Sequence, residues 1–511
     1  MGEVKSVMIK EFDVCIIGSG ASGSVACKVL AEKGWRVGVV EQGKKIEPGT
    51  HLDTVMQHAE KAIARDADGK WGPYGYPWTA SAVGGGTVFY AGISFRYREI
   101  DFDARPYIAE NAMDPKWPIT YSDLDPYYNK VESLLGVCGD LDADPYISPN
   151  KTGRLLPPHD YSQQGNLIAA VGKRLGLRPF PTPLAVNRTA HNGFPACENL
   201  TCCTDYACPN GAKADSFTRI LQPALENYDV ELMTNTKALR LIQENPFKIA
   251  YLECVDLDTK TVFKIRAKVF VLAANAIQSA ALVLRSANRW WPEGVGNQSG
   301  LVGAGLSFKV SEYISGWVID HPYPSLHEPL KGLYSTVSIT DYYLDSRIPS
   351  GMGGLIYEAN PWSDYGDPKK GLYVQLECIL ADQPMETNRV RLSNEKEATG
   401  VPRIILDYQT HPLDRARLEF MIERAKEILL EMGAVDIQRI PSYYYLGSAH
   451  LHGTCRAGDD EKMSVVDKYG RFHALDNLYV VDGSFMPFSG GVNPTLTIQA
   501  NSYRIAEHIT L

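Results

Sequence analysis

Two histidines and one asparagine in the last part of the chain carry side chains suited to the chemistry of alcohols. His450 and His452 lie in segment 449–455, and Asn493 lies in the glycine-rich segment 490–495. A neutral imidazole, with an ordinary pKa near ~6.5, can accept a hydroxyl proton at neutral pH, and an amide can hold the alkoxide oxygen. If both segments face one hydride acceptor, they favour removal of a hydride from an alcohol carbon.

The N-terminal part of the chain has the pattern of a nucleotide-binding β-α-β unit. An apolar run at 12–17 predicts a buried strand, the glycine-rich stretch 18–23 a tight turn, and the apolar spacing at 25–30 a helix. Such a turn lets the backbone approach a pyrophosphate at the helix N-terminus. A second strand at 36–40 ends at Glu41, where an acid holds a ribose diol and disfavours a 2′-phosphate. The residues expected to contact the nucleotide here are Gly18, Gly20, Ala21, Ser22, Gly23 and Glu41.

Length and charge limit the class of protein. A chain of 511 residues exceeds the usual size of a single core, so at least two domains are expected. The formal net charge of −9 argues against a nucleic-acid partner. No stretch approaches the roughly 18 apolar residues of a membrane span, and no targeting pattern precedes the first strand, so we expect a cytoplasmic protein.

The patterns along the chain change in a definite order. Helices are predicted around 121–135 and 167–175, and a strand at 268–272 runs into a helix. From about 306 to 445 alternating strands dominate, such as 372–377 and 403–408, with one long amphipathic helix at 414–432 among them. The remaining C-terminal residues return to nucleotide-binding patterns. The nucleotide-binding domain is therefore expected to be discontinuous.

With these motifs, the chain resembles the glucose-methanol-choline (GMC) family of FAD-dependent oxidoreductases over nearly its full length. The resemblance is carried by the N-terminal turn, the two C-terminal segments that hold His450 and Asn493, and, between them, the segments 84–92, 273–279, 296–303 and 387–392. The C-terminal motifs look most like pyranose oxidase, whereas a cysteine-bearing insertion is similar to the catalytic subunits of bacterial sugar dehydrogenases.

The resemblance implies an α/β protein with the GMC fold. It predicts a Rossmann-type FAD-binding domain at 1–305 and 446–511, with insertions at about 51–80 and 101–215. A substrate-binding domain, built on a mainly antiparallel sheet covered by helices, is predicted at 306–445.

The resemblance also implies roles for individual residues. In the family motif the active-site His lies three residues before the Gly of Gly-Thr, which selects His450 as the base and Asn493 as its partner. His452 is the rival, because alternation along a strand could turn it to the same face. The further implied FAD contacts are Gly85, Gly86, Thr87, Ala238, Ala274, Asp482, Gly483, Asn493, Pro494 and Thr495. The segment in which pyranose oxidases often tether the flavin, here 85–92, has no histidine, so FAD is expected to bind noncovalently.

The cysteines fall into two groups. Those scattered among apolar neighbours are expected to be small buried side chains: Cys15, Cys27, Cys138, Cys254, Cys378 and Cys455. Cys197, Cys202, Cys203 and Cys208 crowd into one insertion, and thiolates at this density can hold an iron–sulfur cluster or zinc. Because the spacing matches no ferredoxin or zinc-finger run, structural thiols or a disulfide are favoured over a cluster or zinc at Cys197, Cys203 and Cys208.

The substrate is the least determined feature. Aromatic side chains at 71–78 and 443–445 could stack on a sugar ring or, equally, pack between domains. No long aliphatic run lines the 306–445 region, which disfavours a sterol or long-chain alcohol. We expect a carbohydrate, glycoside or amino sugar, oxidised to a ketone or aldehyde by hydride transfer to the flavin N5.

Three alternatives stay open from the sequence. The chain could be a dehydrogenase subunit that passes electrons to a partner protein, a sterol or long-chain alcohol oxidase, or a non-redox lyase of the same fold. Oxygen, a quinone and a redox protein are all candidate electron acceptors.

Overall fold

The computed structural model describes residues 8–56, 62–65, 70–75, 79–201, 203–322, 332–360, 371–441 and 449–511. The α-helices in these ranges are α1 (Ala21–Glu32), α2 (Asp53–Met56), α3 (Glu99–Phe102), α4 (Tyr121–Leu135), α5 (Gln163–Arg174), α6 (Gln222–Asn227), α7 (Asn275–Arg285), α8 (Pro412–Glu431) and α9 (Thr495–His508). The strands are β1 (Ile9–Ile17), β2 (Val37–Val40), β3 (Ala62–Arg65), β4 (Trp71–Gly75), β5 (Phe180–Pro181), β6 (Val230–Met233), β7 (Thr236–Asn245), β8 (Lys248–Asp256), β9 (Val262–Leu272), β10 (Val310–Val318), β11 (Val337–Ile339), β12 (Gly354–Glu358), β13 (Leu372–Leu380), β14 (Arg389–Lys396), β15 (Pro402–Asp407), β16 (Ala434–Pro441) and β17 (Leu478–Val480).

The first sheet holds the predicted nucleotide-binding unit. Its strand order is β6-β2-β1-β9-β8-β7, and β17 pairs with β9. The pairs β1–β2, β1–β9, β2–β6 and β9–β17 are parallel, as in a Rossmann-type sheet. The buried runs of β1 and β2 explain this, because a strand covered on both faces is apolar throughout. The C-terminal β17 completes a sheet that begins near the N-terminus, so the discontinuous course is confirmed.

The second sheet has the order β16-β10-β13-β12-β11-β5, and all its pairs are antiparallel. Helices α8 and α5 cover one face of it. Leu418, Met421 and Ile422 of α8 and Ile168 of α5 join the buried side chains of the strands in one apolar cluster. The expected antiparallel sheet covered by helices is therefore confirmed.

Parts of the predicted insertions join the sheets of the second half of the chain. Strand β5, at residues 180–181, pairs with β11, and β3 pairs with β15 in a third sheet of order β14-β15-β3-β4. Both pairings join segments that are far apart in sequence. The local apolar pattern of a strand does not indicate such a distant partner. None of the helices in the described ranges combines the length and the apolar composition needed to span a bilayer.

Candidate active site

One large cavity lies between the first sheet and the second. Its volume is about 460 Å³, within the range of roughly 300–1,000 Å³ typical of ligand pockets. Its wall includes these predicted residues: Gly18, Gly20, Ala21, Ser22, Glu41, Gly85, Gly86, Thr87, Ala238, Ala274, His450, Asp482, Gly483, Asn493 and Thr495. Residues predicted from distant parts of the sequence thus meet in one place.

Gly23 and Pro494, also predicted as FAD contacts, are not part of this wall. Gly23 packs within the N-terminal turn, where a Cβ atom would lie 2.0 Å from the Gly18 carbonyl oxygen. Pro494 is the residue that precedes the first turn of α9. Both positions shape the backbone next to the cavity.

Two glycine turns meet at the nucleotide end of the cavity. Gly18 has a φ of 104°, and a Cβ atom there would lie 2.4 Å from the Ala273 carbonyl oxygen. A Cβ atom on Gly85 would lie 2.9 Å from the Gly20 Cα atom. Because only glycine fits here, the backbone can come close to a ligand, as the pyrophosphate of a dinucleotide requires.

Glu41 is held rigidly where β2 ends. Its carboxylate accepts hydrogen bonds from the Ser19 amide (3.0 Å), the Ser19 hydroxyl (2.7 Å) and the Gly43 amide (2.7 Å). Burial raises the pKa of Glu41, and these hydrogen bonds act in the opposite sense. The side chain lines the cavity, and a carboxylate so fixed is placed to accept hydrogen bonds from a ribose diol.

Asp482 is held in a similar way after β17. Its carboxylate accepts hydrogen bonds from the Ser279 hydroxyl (2.5 Å), the Ser484 amide (2.9 Å) and the Ser484 hydroxyl (2.5 Å). Opposite, the Thr87 hydroxyl donates to the Gly84 carbonyl oxygen (2.7 Å). The close approach allowed by the glycine turns, the two fixed carboxylates and the volume of the cavity fit an FAD.

His450 and Asn493 meet at the other end of the cavity. The Asn493 Nδ2 atom lies 3.2 Å from His450 Nε2. With Nδ2 as the donor, Nε2 is an acceptor and the neutral ring carries its proton on Nδ1. Removal from bulk water and, secondarily, the positive charge of Lys309 lower the pKa of His450 to about 3. The imidazole is therefore neutral at physiological pH, as a proton acceptor must be.

His452 occupies a different environment. It is fully buried, its backbone pairs with Ser307, and its Nε2 atom lies 3.3 Å from the Tyr97 hydroxyl oxygen. It is not part of the cavity wall, and its Nδ1 atom has no hydrogen-bond partner in the described parts of the chain. The structure thus separates the two histidines and places only His450 beside Asn493.

Buried polar side chains fix the backbone just before Asn493. Lys309, fully buried, donates hydrogen bonds from Nζ to the carbonyl oxygens of Ser489 and Gly490. The Gly491 amide donates to the Tyr343 hydroxyl oxygen (2.8 Å). Burial lowers the pKa of Lys309 to about 7. These hydrogen bonds hold the turn that carries the Asn493 side chain. No sequence motif had pointed to Lys309 or Tyr343.

The cysteine insertion lies next to the cavity. Cys197, Cys203 and Cys208 line one small space, and the buried Lys213 donates from Nζ to the carbonyl oxygens of Cys203 (2.6 Å) and Tyr90 (2.9 Å). Cys202 lies outside the described residues. Among those described, no group of three or more His, Cys, Asp or Glu side chains is arranged to hold a metal ion.

The other cysteines match their expected place. All six are buried, and all but Cys138 belong to the apolar clusters, so the expected burial of Cys15, Cys27, Cys138, Cys254, Cys378 and Cys455 is confirmed. The two aromatic segments proposed to face a sugar cannot be placed in the same way. Segment 443–445 lies outside the described residues, as do residues 76–78 and the side chains at 72–75.

The second sheet contributes a polar part of the cavity wall that was not predicted from the sequence. Ser311, Tyr313, Tyr357 and Glu377 line the cavity together with His450 and Asn493. A pattern that could have indicated it is the single charged residue, Glu377, within the mainly apolar sequence of β13, whose residues are all buried. Charged side chains are rarely buried in such a strand without a role.

Comparison with known proteins agrees with the geometry. The N-terminal family model of GMC oxidoreductases matches residues 13–309, and the C-terminal model matches residues 384–502. The chain is 45% identical to 6'''-hydroxyparomomycin C oxidase of Streptomyces lividus, over 98% of this chain and 92% of the relative. It is 43% identical to paromamine 6'-oxidase of Streptomyces fradiae, over 98% and 91%.

A solved structure supports the fold. A variant of formate oxidase from Aspergillus oryzae superposes with a TM-score of 0.69 over 98% of each chain, at 16% identity. At this identity the likeness concerns the fold alone. The family models, however, match most of the chain, and the two Streptomyces relatives span nearly all of it. The chain therefore belongs to the GMC oxidoreductase family, whose members bind FAD, and it is an oxidoreductase acting on CH–OH groups.

Proposed function

We propose that the protein oxidises a hydroxyl-bearing carbon of an amino sugar, with His450 as the base. The observation that carries this is the 3.2 Å contact between His450 Nε2 and Asn493 Nδ2. Both residues line the cavity that also contains the glycine turns suited to a dinucleotide. The names of the two Streptomyces relatives, oxidases of hydroxyparomomycin and paromamine, support an amino sugar as the substrate class.

The chain supplies proton transfer and positioning. The substrate hydroxyl takes the place of the Asn493 Nδ2 atom at His450 Nε2, which accepts the hydroxyl proton as the hydride leaves the carbon that bears this hydroxyl. The freed N–H of the Asn493 amide then donates to the alkoxide oxygen. FAD, when bound, supplies N5 as the hydride acceptor. The product is an aldehyde or a ketone, according to the carbon oxidised.

We propose that the predicted residues hold FAD noncovalently. In this proposal the glycine turns at Gly18 and Gly85 admit the pyrophosphate, Glu41 binds the ribose diol, and the backbone of Ala238, a residue of the cavity wall, pairs with adenine. No histidine occurs in segment 85–92 to tether the ring. Acid precipitation should release intact FAD into the supernatant, and flavin that stays with the polypeptide would contradict noncovalent binding.

We also propose the domain division 1–305 with 446–511 and 306–445, and a cytoplasmic location. The first is supported by the two main sheets, although β5 and the β3–β4 pair cross the division.

Anaerobic mixing of the holoenzyme with substrates tests the function. Paromamine should bleach the flavin absorbance, whereas long-chain alcohols and sterols should not. Failure of every amino sugar to reduce the flavin, in a preparation with full FAD content, would refute the proposal. Readmission of air then separates an oxidase, which reoxidises quickly, from a dehydrogenase that needs another acceptor.

A further inference from the structure

The second sheet places a carboxylate in the centre of the cavity wall. Glu377 lies on β13, between two flanking strands, and its register partners are Tyr313 on β10 and Tyr357 on β12. All three residues line the cavity that contains His450 and Asn493. The wall opposite the nucleotide turns therefore carries an acidic group framed by two phenols.

Glu377 is buried and is supported by hydroxyl groups. Only 5% of the residue is exposed, and its carboxylate accepts hydrogen bonds from the Ser311 hydroxyl (2.5 Å) and from the Tyr357 hydroxyl, with Tyr313 as a further hydrogen-bonding neighbour. Burial raises its pKa, and these hydroxyls act in the opposite sense. The groups that act on its charge are the Ser311, Tyr357 and Tyr313 hydroxyls, and no Lys, Arg or His in the described part of the chain forms an ion pair with it. A buried carboxylate without a cation is costly, and a positively charged ligand would offset that cost.

Glu377 is close to the reacting end of the cavity. Tyr357 donates to it, and Tyr357 is also a hydrogen-bonding neighbour of the Asn493 amide. Two successive hydrogen bonds span about 6 Å, so the negative charge lies about this far from the group that holds the reacting oxygen. The Asn493 Oδ1 atom, in a residue that is 6% exposed, has no hydrogen-bond partner among the described residues. One ligand in this site could therefore contact both the Asn493 Oδ1 atom, as a hydrogen-bond acceptor, and the Glu377 carboxylate.

A second carboxylate lines the same cavity. Asp205 lies in the cysteine insertion with a φ of 68°, and its backbone amide donates to the Phe89 carbonyl oxygen (2.7 Å). Its charge acts on Tyr313, which places it near the Glu377 wall. Burial raises the pKa of Asp205, while the charges of His51 and Lys213 act in the opposite sense. Two acidic groups therefore face the space in which a substrate would lie.

We infer that Glu377 binds an ammonium group of the substrate, with Asp205 as a second anionic contact. The inference rests on the proposed function and makes it more specific. The cavity selects a sugar that carries an amino group about one ring away from the hydroxyl that His450 deprotonates. An ammonium gives Glu377 the charge-assisted partner it lacks, whereas a neutral hydroxyl at the same position does not.

The test compares two substrates on two variants of the FAD-loaded enzyme. The substrates are paromamine and an analogue of the same skeleton in which hydroxyls replace the amino groups. Glu377→Gln removes the charge and keeps the shape, and a hydroxyl that donated to the replaced oxygen can rotate to accept from the new amide. Glu312→Gln is the matched control, since Glu312 lies on β10 of the same sheet, outside the cavity wall, and pairs with Arg439.

Glu377→Gln should lower kcat/KM for paromamine on the order of 10- to 100-fold, the size expected for loss of a charge-assisted hydrogen bond. The same variant should change kcat/KM for the neutral analogue less than about threefold, and Glu312→Gln should change neither. Asp205→Asn should reduce paromamine turnover selectively and by a smaller factor.

The outcomes separate the inference from the proposed function. Equal losses with both substrates, in a wild-type enzyme that does oxidise paromamine, would overturn the inference alone. A wild-type enzyme that oxidises the neutral analogue and not paromamine would overturn both. If Glu377→Gln does not retain FAD, inhibition of the wild-type holoenzyme by a small amine tests the inference instead. Competitive inhibition by cyclohexylamine and not by cyclohexanol supports the inference, and equal inhibition, or none, contradicts it.

Discussion

Replacing His450 by alanine should slow flavin reduction while leaving FAD bound. The imidazole contacts the Asn493 amide and lines the cavity, and it is not part of the glycine turns that we propose hold the nucleotide. Loss of a positioned general base typically lowers a rate on the order of 10²–10⁴-fold. That range corresponds to about 2.7 to 5.4 kcal/mol of transition-state stabilisation. Anaerobic stopped-flow measurement of flavin bleaching by paromamine reads this step directly.

The pH dependence provides a second readout of the same base. A protonated imidazole cannot accept the substrate proton, so the rate falls as the pH drops through the pKa of His450. Because burial and the Lys309 charge lower that pKa to about 3, the fall should occur far below the usual histidine range. A rate of flavin reduction that halves near pH ~6.5 would show that the base is not in this environment.

Two variants serve as controls. His450→Gln keeps a carbonyl oxygen that can accept from Asn493 and cannot take a proton at neutral pH, so it should lose as much rate as His450→Ala. His452→Ala should cost far less in flavin reduction, because His452 contacts Tyr97 and is not part of the cavity wall. A larger effect at His452 than at His450 would refute the assignment of the base.

Two further predictions concern this cavity, and a third concerns the cysteine insertion beside it. Glu41→Ala should weaken FAD binding by roughly 1.5–3 kcal/mol, measured as the FAD dissociation constant, because the ribose diol loses a charged acceptor. Asn493→Ala should slow flavin reduction with FAD content unchanged, since the alkoxide loses a fixed donor; an unaltered rate would contradict its role. Cys203→Ser should lower the melting temperature and leave the choice of electron acceptor unchanged; stoichiometric iron and sulfide in the wild-type protein would instead indicate a cluster.

The local part of the site could be predicted from the sequence. The strand, glycine turn and helix at 12–30 are successive along the chain, and each carries its own pattern of apolar residues and glycines. Glu41 followed from the same unit, since a strand end fixes where the next side chain points. The register of His450 over His452 came from a short motif and agrees with the geometry of the cavity.

The remaining part depends on contacts between distant segments. Strand β5 and the β3–β4 pair join sheets whose other strands lie more than a hundred positions away in sequence. The local sequences of these strands do not indicate which strand they will pair with. Glu377 and Tyr357 face one cavity because β12 and β13 pair in a particular register. A shift of one residue in this pairing would turn one of the two side chains to the opposite face, so the substrate wall could be recognised only in the folded sheet.

The position of β17 in the first sheet has a consequence for the synthesis of the protein. This strand, with α9 after it, comes from the last part of the chain, yet it pairs with β9, and the Ser502 hydroxyl of α9 donates to the Ser22 carbonyl oxygen of α1. A nascent chain that has already exposed β1, α1 and β2 therefore still lacks one edge of the sheet and the Asp482 and Asn493 sides of the cavity. Because the cavity is complete only when β17 and α9 have docked on this sheet, we expect flavin binding to follow that docking step in folding.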